Sequence, residues 1–523
     1  MNSLSDPQVQ ETLRGAFRLV LPEIVLIGTA CIAFLVGAFH NRRWLGFVLS
    51  LVGVGIAAIV AGVVKTPMPS EMLVAPIIPD AAAVFVRWIA IASAAVFVLV
   101  SWPEVEDKTA SEYYGCLLVA AAGVSLVGRA NDLIALFLAL ELISIPTYIL
   151  LYLPARTKAN QEAAVKYFLL SILSSAVLLF GFSYLYGLTG STNLTAIVGT
   201  LTKSNAEHLS PMALIAAVMI VAAVGFRITA VPFHFYAPDV YEGGPAGVVA
   251  QLAFLPKVAG FVALARIFGL FADPLHLPFD AATQIPLLLW IIAVVTMTFG
   301  NVMAMLQDNI RRMMAYSGVA HGGYMLIGLV AASSIPDAKA TPSAGGIEAI
   351  LVYLVAYGAM TVGAFAVILY LSTPEQPVES IDDLAGLGQS HPMTAASMAI
   401  FMFSLIGLPL TAGFVGKFLL FLGVLGAPSD TTAMRNLYAV LAVVAAINAA
   451  VGAIYYLRVI GVIYLRSPIR PPASSRAIPT FLAVIVLAAT TIVVGLYPQP
   501  LVQAARKAAP VPLVGKPALV VAE

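Results

Sequence analysis

Long apolar runs alternate along the chain with short polar connections rich in Pro, Gly and Asp. A helix needs about 20 apolar residues to cross the hydrocarbon core of a bilayer. On that measure about fourteen spans are expected, at 17–38, 44–65, 81–101, 112–128, 131–153, 161–187, 211–235, 247–271, 284–306, 311–333, 347–372, 394–425, 433–465 and 478–497. The fourth is short, and the seventh and twelfth are interrupted. No connection is long enough to hold a soluble domain. The expected fold is therefore an all-α polytopic membrane protein.

The two interruptions look alike. In the seventh span Arg227 is followed by Val231–Pro232–Phe233–His234; in the twelfth, Gly407–Leu408–Pro409–Leu410–Thr411–Ala412–Gly413 is followed by Gly416–Lys417. Both are apolar helices broken beside a basic residue, five helices apart. Tandem units of five helices insert with opposite orientation because five is odd. Broken segments at matching positions are the sequence sign of an inverted-repeat transporter. The expected layout is a three-helix segment (1–111), a first repeat of helices 4–8 (112–271), a second of helices 9–13 (284–465), and a last helix with a tail (478–523). It contains two discontinuous helices.

Composition supports the membrane assignment and excludes other classes. The chain is 61% hydrophobic and 10% charged, where soluble domains carry about 25% charged residues. A net charge of +1 gives no footprint for nucleic acid. Cys31 and Cys116 lie far apart in apolar segments, so this chain by itself is not expected to hold zinc or an iron–sulfur cluster. No nucleotide-binding glycine motif follows a strand. Loop cations set orientation. Arg42, Arg43, Lys108, Arg156, Lys158, Arg311, Arg312, Arg466, Arg470 and Arg476 fall in odd-numbered loops, against Lys65, Arg129, Lys203, Lys339 and Arg435 in even-numbered ones. That bias puts both termini on the non-cytoplasmic side, with the basic tail (Arg506, Lys507, Lys516) opposing it.

The candidate chemistry lies in charges inside the spans. Glu141, Lys166, Arg227, Lys257 and Lys417 all fall within apolar helices. Left unpaired, they would cost on the order of 12–18 kcal/mol to insert, more than typical folding stability. With one carboxylate among them, pairing alone does not solve the problem, and a hydrated polar line is expected. Pro146 follows Glu141 by five residues, Pro232 follows Arg227 by five, and Pro256 precedes Lys257. Proline in a helix leaves the carbonyl four residues earlier without its amide, so carbonyls of Leu142, Ile228 and Leu252 become available to hold water beside these charges. Such backbone is tolerated at membrane depth where it lines a wet cavity.

Simpler readings stand beside these. Glu141 also reads as a plain salt-bridge partner for a neighbouring basic residue, the lesser of its two readings. Lys166 follows Glu162 at i,i+4 and fits a surface pair. Arg227 keeps its proton and fits a fixed charge better than a carrier. His234 and His321 read either as satisfied core histidines or as relays beside breakers. Glu23, Arg87, Arg266 and Arg458 read as structural or lipid-facing anchors, and Glu104–Asp107 as a solvated acidic loop.

Four strings give a specific resemblance: Glu162–Ser171 (EAAVKYFLLS), Pro232–Gly243 (PFHFYAPDVYEG), Asp308–Tyr324 (DNIRRMMAYSGVAHGGY) and Pro409–Phe418 (PLTAGFVGKF). With the helix layout they make most of the chain resemble the antiporter-like membrane subunits of respiratory complex I, and the N-type branch most closely. The resemblance implies a proton-translocating subunit of NADH–quinone oxidoreductase, driven by redox chemistry elsewhere. Flavin, iron–sulfur clusters and quinone are then expected in partner subunits, with no cofactor in this chain. The implied partners are other membrane subunits and the lipid of a bacterial inner membrane. The resemblance also implies that Glu141 pairs with the basic residue on helix 7, and that Lys166, Lys257 and Lys417 continue a central axis with His234 and His321 between them. One departure matters: the family commonly has lysine where this chain has Arg227. Competing readings are a multi-subunit cation/proton antiporter, a hydrogenase- or ferredoxin-linked relative, and a non-pumping scaffold subunit.

Overall fold

A computed structural model describes residues 15, 17–64, 76–153, 157–203, 211–268, 279–332, 345–373, 375–427, 432–468 and 473–509. Lys65, Arg156, Lys339, Arg470 and Lys516, used above for orientation, lie outside the described residues. The N-terminal part holds α1 (Leu21–Phe39), α2 (Arg43–Val63), α3 (Ala81–Val100) and α4 (Ala110–Val127). Then come α5 (Leu133–Tyr152), α6 (Lys158–Thr189), the short α7 (Leu194–Lys203), α8 (Pro211–Arg227), α9 (Ala237–Gly243) and α10 (Ala246–Phe268). The rest comprises α11 (Phe279–Met305), α12 (Ile310–Ala332), α13 (Gly346–Leu371), α14 (Pro392–Ile406), α15 (Ala412–Leu425), α16 (Thr432–Leu465), α17 (Ile478–Leu496) and α18 (Gln499–Ala508).

Among the described residues, 12 helices are long and apolar enough to cross a membrane. No strand occurs among them, only isolated bridges such as Ile77 with Ala130. The chain is thus an all-helical, multi-pass membrane protein. The expected seventh and twelfth spans appear as shorter pieces. α8 stops at Arg227 and the chain turns irregularly before α9; α14 stops at Ile406 and restarts as α15. Gly407 closes α14 with a φ of 92°, a left-handed conformation that glycine adopts without penalty.

Local chemistry fixes the helix starts. The Asp132 carboxylate accepts the amides of Ile134 and Ala135 (2.8 and 3.3 Å), and that of Asp80 accepts the Ala83 amide (2.8 Å). Each satisfies amides that a helix N-terminus leaves open. In an apolar solvent, helices associate through close packing of small residues. A Cβ on Gly300 of α11 would stand 2.5 Å from the Ala320 nitrogen of α12, and one on Gly323 2.5 Å from the Met297 nitrogen. These two helices touch backbone to backbone. α10 and α12 are buried along their whole spans, whereas α1, α2, α16 and α17 bury about a third of theirs and turn residues such as Leu35, Ile59 and Ile447 outward.

α10 is also clamped to α3 at both ends. At one end the Gly247 amide donates to the Glu104 carboxylate (3.0 Å); at the other, Arg266 binds Asp80 through two bonds (2.5 and 2.7 Å). The two helices therefore run antiparallel. Glu104 is thus not a solvated loop charge: its carboxylate meets a helix end. Of the two readings of the expected anchors, structural or lipid-facing, the buried ones take the structural one. Arg87 holds both oxygens of Glu23 (2.9 and 2.8 Å), and all of Glu23, Arg87 and Arg266 are buried. Arg129 is buried as well, its Nε 3.5 Å from Glu23, so this loop cation folds inward. Arg458 stays part-exposed and pairs with Asp308.

Candidate functional site

The last residue of α8 meets the middle of α5. Arg227 Nη2 donates to Glu141 Oε1 at 2.9 Å and to Ser175 Oγ at 3.4 Å; Nη1 donates to Ser144 Oγ at 2.6 Å and the Leu140 carbonyl at 3.2 Å. The Ser175 hydroxyl donates to the same Glu141 oxygen at 2.6 Å. Arg227 is 4% exposed. Its planar fork spreads over a carboxylate, two hydroxyls and a carbonyl, which the point charge of a lysine would not match. The two serines, from α5 and α6, left no sign in the sequence beyond being polar in apolar helices.

Just beyond Arg227 the helix ends. Lys257, on α10 and 1% exposed, donates to Thr229 Oγ1 at 2.5 Å and to the Ile228 carbonyl at 3.4 Å. Among the described residues no carboxylate pairs with it. The Ile228 carbonyl is available, as expected, but because α8 stops there rather than because Pro232 sits inside a continuing helix. Gly318 of α12 opens the space beside this lysine: a Cβ there would stand 3.1 Å from Tyr357 Oη and 3.7 Å from Lys257 Nζ.

Lys417 repeats the arrangement in the second break. From the first turns of α15 it donates to the Leu405 and Ile406 carbonyls, each at 2.9 Å, at the end of α14. Its ammonium lies 4.9 Å from the Tyr324 ring centre, a cation–π distance. The C-terminal carbonyls of a helix carry its negative pole, so a cation is stabilised there without a counter-ion. Both breaks thus end on a buried lysine, supplied by the following helix in the first case and by the second half-helix in the other.

Between the lysines lies a tyrosine hub on His321. Nδ1 is 2.6 Å from Tyr353 Oη and Nε2 is 3.0 Å from Tyr456 Oη; Tyr456 also bonds Ser317. A neutral imidazole donates from one nitrogen and accepts at the other, so a proton taken from one tyrosine side is given up on the other. Tyr353 also packs where Gly416, next to Lys417, leaves room. None of these tyrosines was distinguishable in sequence from an ordinary core aromatic.

The other two candidates stand apart. Lys166 is 39% exposed through its side chain and bonds Asp239 and Glu162, each at 2.7 Å. Arg312 joins the same cluster through Asp239 (3.0 Å) and Glu242 (2.6 Å). His234 lies in the first break, its ring 4.7 Å from that of Phe299, with no partner for Nδ1 among the described residues. No group of three or more metal-ligating side chains occurs among the described residues.

Helices broken inside the membrane, each with a buried lysine on its carbonyl end, define the class: a multi-pass protein of the antiporter-like kind. The chain belongs to the NADH:quinone oxidoreductase/Mrp antiporter transmembrane family, whose profile matches residues 130–457. Within it the chain is similar to NADH-quinone oxidoreductase subunit N of Trichlorobacter lovleyi, 35% identical over 94% of this chain and 96% of that one. The same subunit of Rhodospirillum rubrum is 36% identical, over 86% and 88%. Among solved structures, a chain of respiratory complex I from Thermus thermophilus superposes with a TM-score of 0.75 at 27% identity, covering 93% of this chain and 99% of that one. A chain of the Mrp complex from Dietzia gives 0.77 at 19% identity, over 94% and 97%, and at that identity it speaks for the fold alone.

Proposed function

We propose that the chain moves protons across the bacterial inner membrane as the N-type subunit of an NADH–quinone oxidoreductase, along Glu141/Arg227, Lys257, His321 and Lys417. The observation that carries this reading is the paired lysines. Each is buried and bound to carbonyls at a helix break, with no carboxylate partner among the described residues, and His321 with its tyrosines lies between them. An intramembrane cation held in this way is a transfer site by default.

The roles follow from the contacts. Glu141 and Arg227 form a pair whose opening and closing changes the field at Lys257. One pKa unit corresponds to about 1.4 kcal/mol, so a movement of a few ångströms in a low dielectric changes how tightly Lys257 holds its proton. Lys257 takes a proton from the cytoplasmic side and passes it through His321 and its tyrosines to Lys417. Arg227 keeps its proton and acts as the fixed charge. Lys166, in its exposed cluster, collects protons at the surface, and His234 serves the first break. Residues 112–271 and 284–465 form inverted repeats, completing fourteen membrane crossings with both termini outside the cytoplasm. Flavin, iron–sulfur clusters and quinone belong to partner subunits, and neighbouring membrane subunits cover the flanks of this one.

A multi-subunit cation/proton antiporter shares the fold, but the subunit N relatives favour the respiratory reading. Co-purification of NADH-oxidising partners decides between them. The transfer line is tested in the purified, reconstituted complex carrying Lys257→Ala or Lys417→Ala. Quinone reduction by NADH should remain measurable while acidification of the vesicle lumen is largely lost. Full pumping in either variant refutes the line.

A further inference from the structure

The Lys166 cluster collects protons at the surface, but no hydrogen bond among the described residues joins it to Lys257. A second polar track reaches α10 from the other side. Glu104 stands in the turn after α3, and its carboxylate accepts the Gly247 amide at 3.0 Å. A Cβ on Gly247 would lie 2.5 Å from Glu104 Oε2 and 3.3 Å from Tyr113 Oη, so glycine there lets carboxylate and phenol share one spot. Tyr113 is fully buried in α4, and its hydroxyl accepts from Gln251 Nε2 of α10 at 3.3 Å. Gln251 is itself buried, and its Oε1 has no partner among the described residues. Six residues further along α10, about 9 Å by helix rise, comes Lys257. At that end Tyr357 Oη, beside Lys257, likewise has no partner among the described residues. Six residues turn the helix by about 600°, so Gln251 faces α4 and Lys257 faces the end of α8; buried oxygens with no partner among the described residues stand near each end of this stretch, where bridging water is held.

We propose that Glu104 is a second proton-loading residue, which supplies Lys257 along the α4–α10 seam through Tyr113 and water held at Gln251. The step balances in protons. Glu104 takes one from water at the membrane face; Tyr113 accepts that proton as it releases its own inward, and the water chain delivers one to neutral Lys257. Gln251 orients the water and carries no proton. The proposal rests on Lys257 being a transfer site, and it adds the source.

The charged and titratable groups facing Glu104 are Arg311 from α12 and Tyr113 from α4. Arg311 and the amides of Ala246, Gly247 and Val248 favour the carboxylate, but burial outweighs them and raises its pKa to about 7. A group poised there loads and unloads near neutral pH.

The alternative is that Glu104 merely caps α10. Glu104→Gln separates the two, because the amide oxygen still accepts from Gly247 but does not titrate. In the reconstituted complex Glu104→Gln should pump at less than half the wild-type rate per NADH oxidised, with assembly kept. Wild-type pumping should also fall off above about pH 7, and the variant should lose that dependence. Gln251→Leu, which leaves Glu104 in place, should reduce pumping similarly. Normal pumping in Glu104→Gln, or in Gln251→Leu if the first variant fails to assemble, overturns the proposal. Lys257→Ala is measured alongside. Its impairment with a normal Glu104→Gln rejects the supply route alone, whereas normal pumping in Lys257→Ala rejects the transfer line itself.

Discussion

The Glu141–Arg227 pair admits a quantitative test. Arg227→Met leaves the Glu141 carboxylate, 18% exposed through its side chain, with the Ser175 hydroxyl as its remaining donor. Removing one partner of a buried pair costs about 3–5 kcal/mol; partial exposure, and the option to protonate, put this variant near the lower end. Glu141→Gln is the harsher change. It leaves a guanidinium 3% exposed that does not shed its proton, supported by Ser144, Ser175 and the Leu140 carbonyl. Its cost belongs nearer the upper end of about 3–5 kcal/mol. The double variant removes both charges and should fall well below the sum of the singles, with a coupling of about 3 kcal/mol. Melting midpoints of the assembled complex supply the ranking: wild type highest, Arg227→Met next, and the double variant level with Glu141→Gln rather than well below it. Unfolding of such a complex is not two-state, so the order carries the test rather than absolute free energies. A double variant as unstable as the two singles combined refutes the pairing as the main interaction of either residue.

Arg227→Lys should keep at least half of wild-type pumping, because one ammonium reaches either Glu141 or Ser144 and the fixed charge remains; complete loss, measured as lumen acidification, would show that the fork geometry itself is required. Lys257→Met should raise the melting temperature of the complex slightly while abolishing pumping, since relief of an unpaired buried charge, about 2.5–3.5 kcal/mol, exceeds the hydrogen bonds lost, about 1.5–3 kcal/mol; a clear drop in melting temperature contradicts this. Tyr456→Phe should slow pumping more than Tyr357→Phe, because Tyr456 bonds both His321 and Ser317; equal rates in the two variants speak against the hub. For Glu104, the folded chain holds a proton that the unfolded chain releases, so the stabilisation is complete below about pH 4.5 and is lost as pH rises through about 7; melting of the wild type should therefore fall relative to Glu104→Gln between those values, and a constant difference denies the raised pKa.

Much of the architecture was legible because a bilayer restricts the alternatives to helices. The spans and both breaks follow from apolar runs, prolines and charges that stand out against an apolar background, and the Glu141–Arg227 pair from the family resemblance. Groups with no such contrast were not legible. Tyr353, Tyr456 and Ser317 read as core, and their role depends on which helix faces His321. Glu104 reads as loop charge until α10 is known to start beside it. Arg129 shows the opposite failure, a charge at a span end that folds inward to Glu23. In each case sequence reveals residue type and depth, whereas the function depends on which neighbour the packing of distant helices supplies.

The two lysines also indicate why the helices are broken. A continuous helix satisfies its own carbonyls, so a buried ammonium beside it finds acceptors only on side chains, and a carboxylate there would hold its proton in a stable ion pair. Carbonyls at a break carry partial charge only. They stabilise Lys417 through two bonds of 2.9 Å, enough to receive a proton yet without a full opposite charge to retain it. When the lysine is neutral it has one fewer N–H to donate, and the freed carbonyl accepts from water instead. On the proposed transfer line, breakage thus gives a site of intermediate affinity, with a carbonyl free to accept from water when the lysine is neutral. Replacing Gly407 with Val tests this directly. A side chain there would stand 3.0 Å from the Lys417 methylene chain and at a φ of 92°, displacing the ammonium from its carbonyls while keeping its charge. Pumping should drop at least tenfold although every titratable group remains; unchanged pumping would mean that the carbonyl ends are not what tunes the lysine.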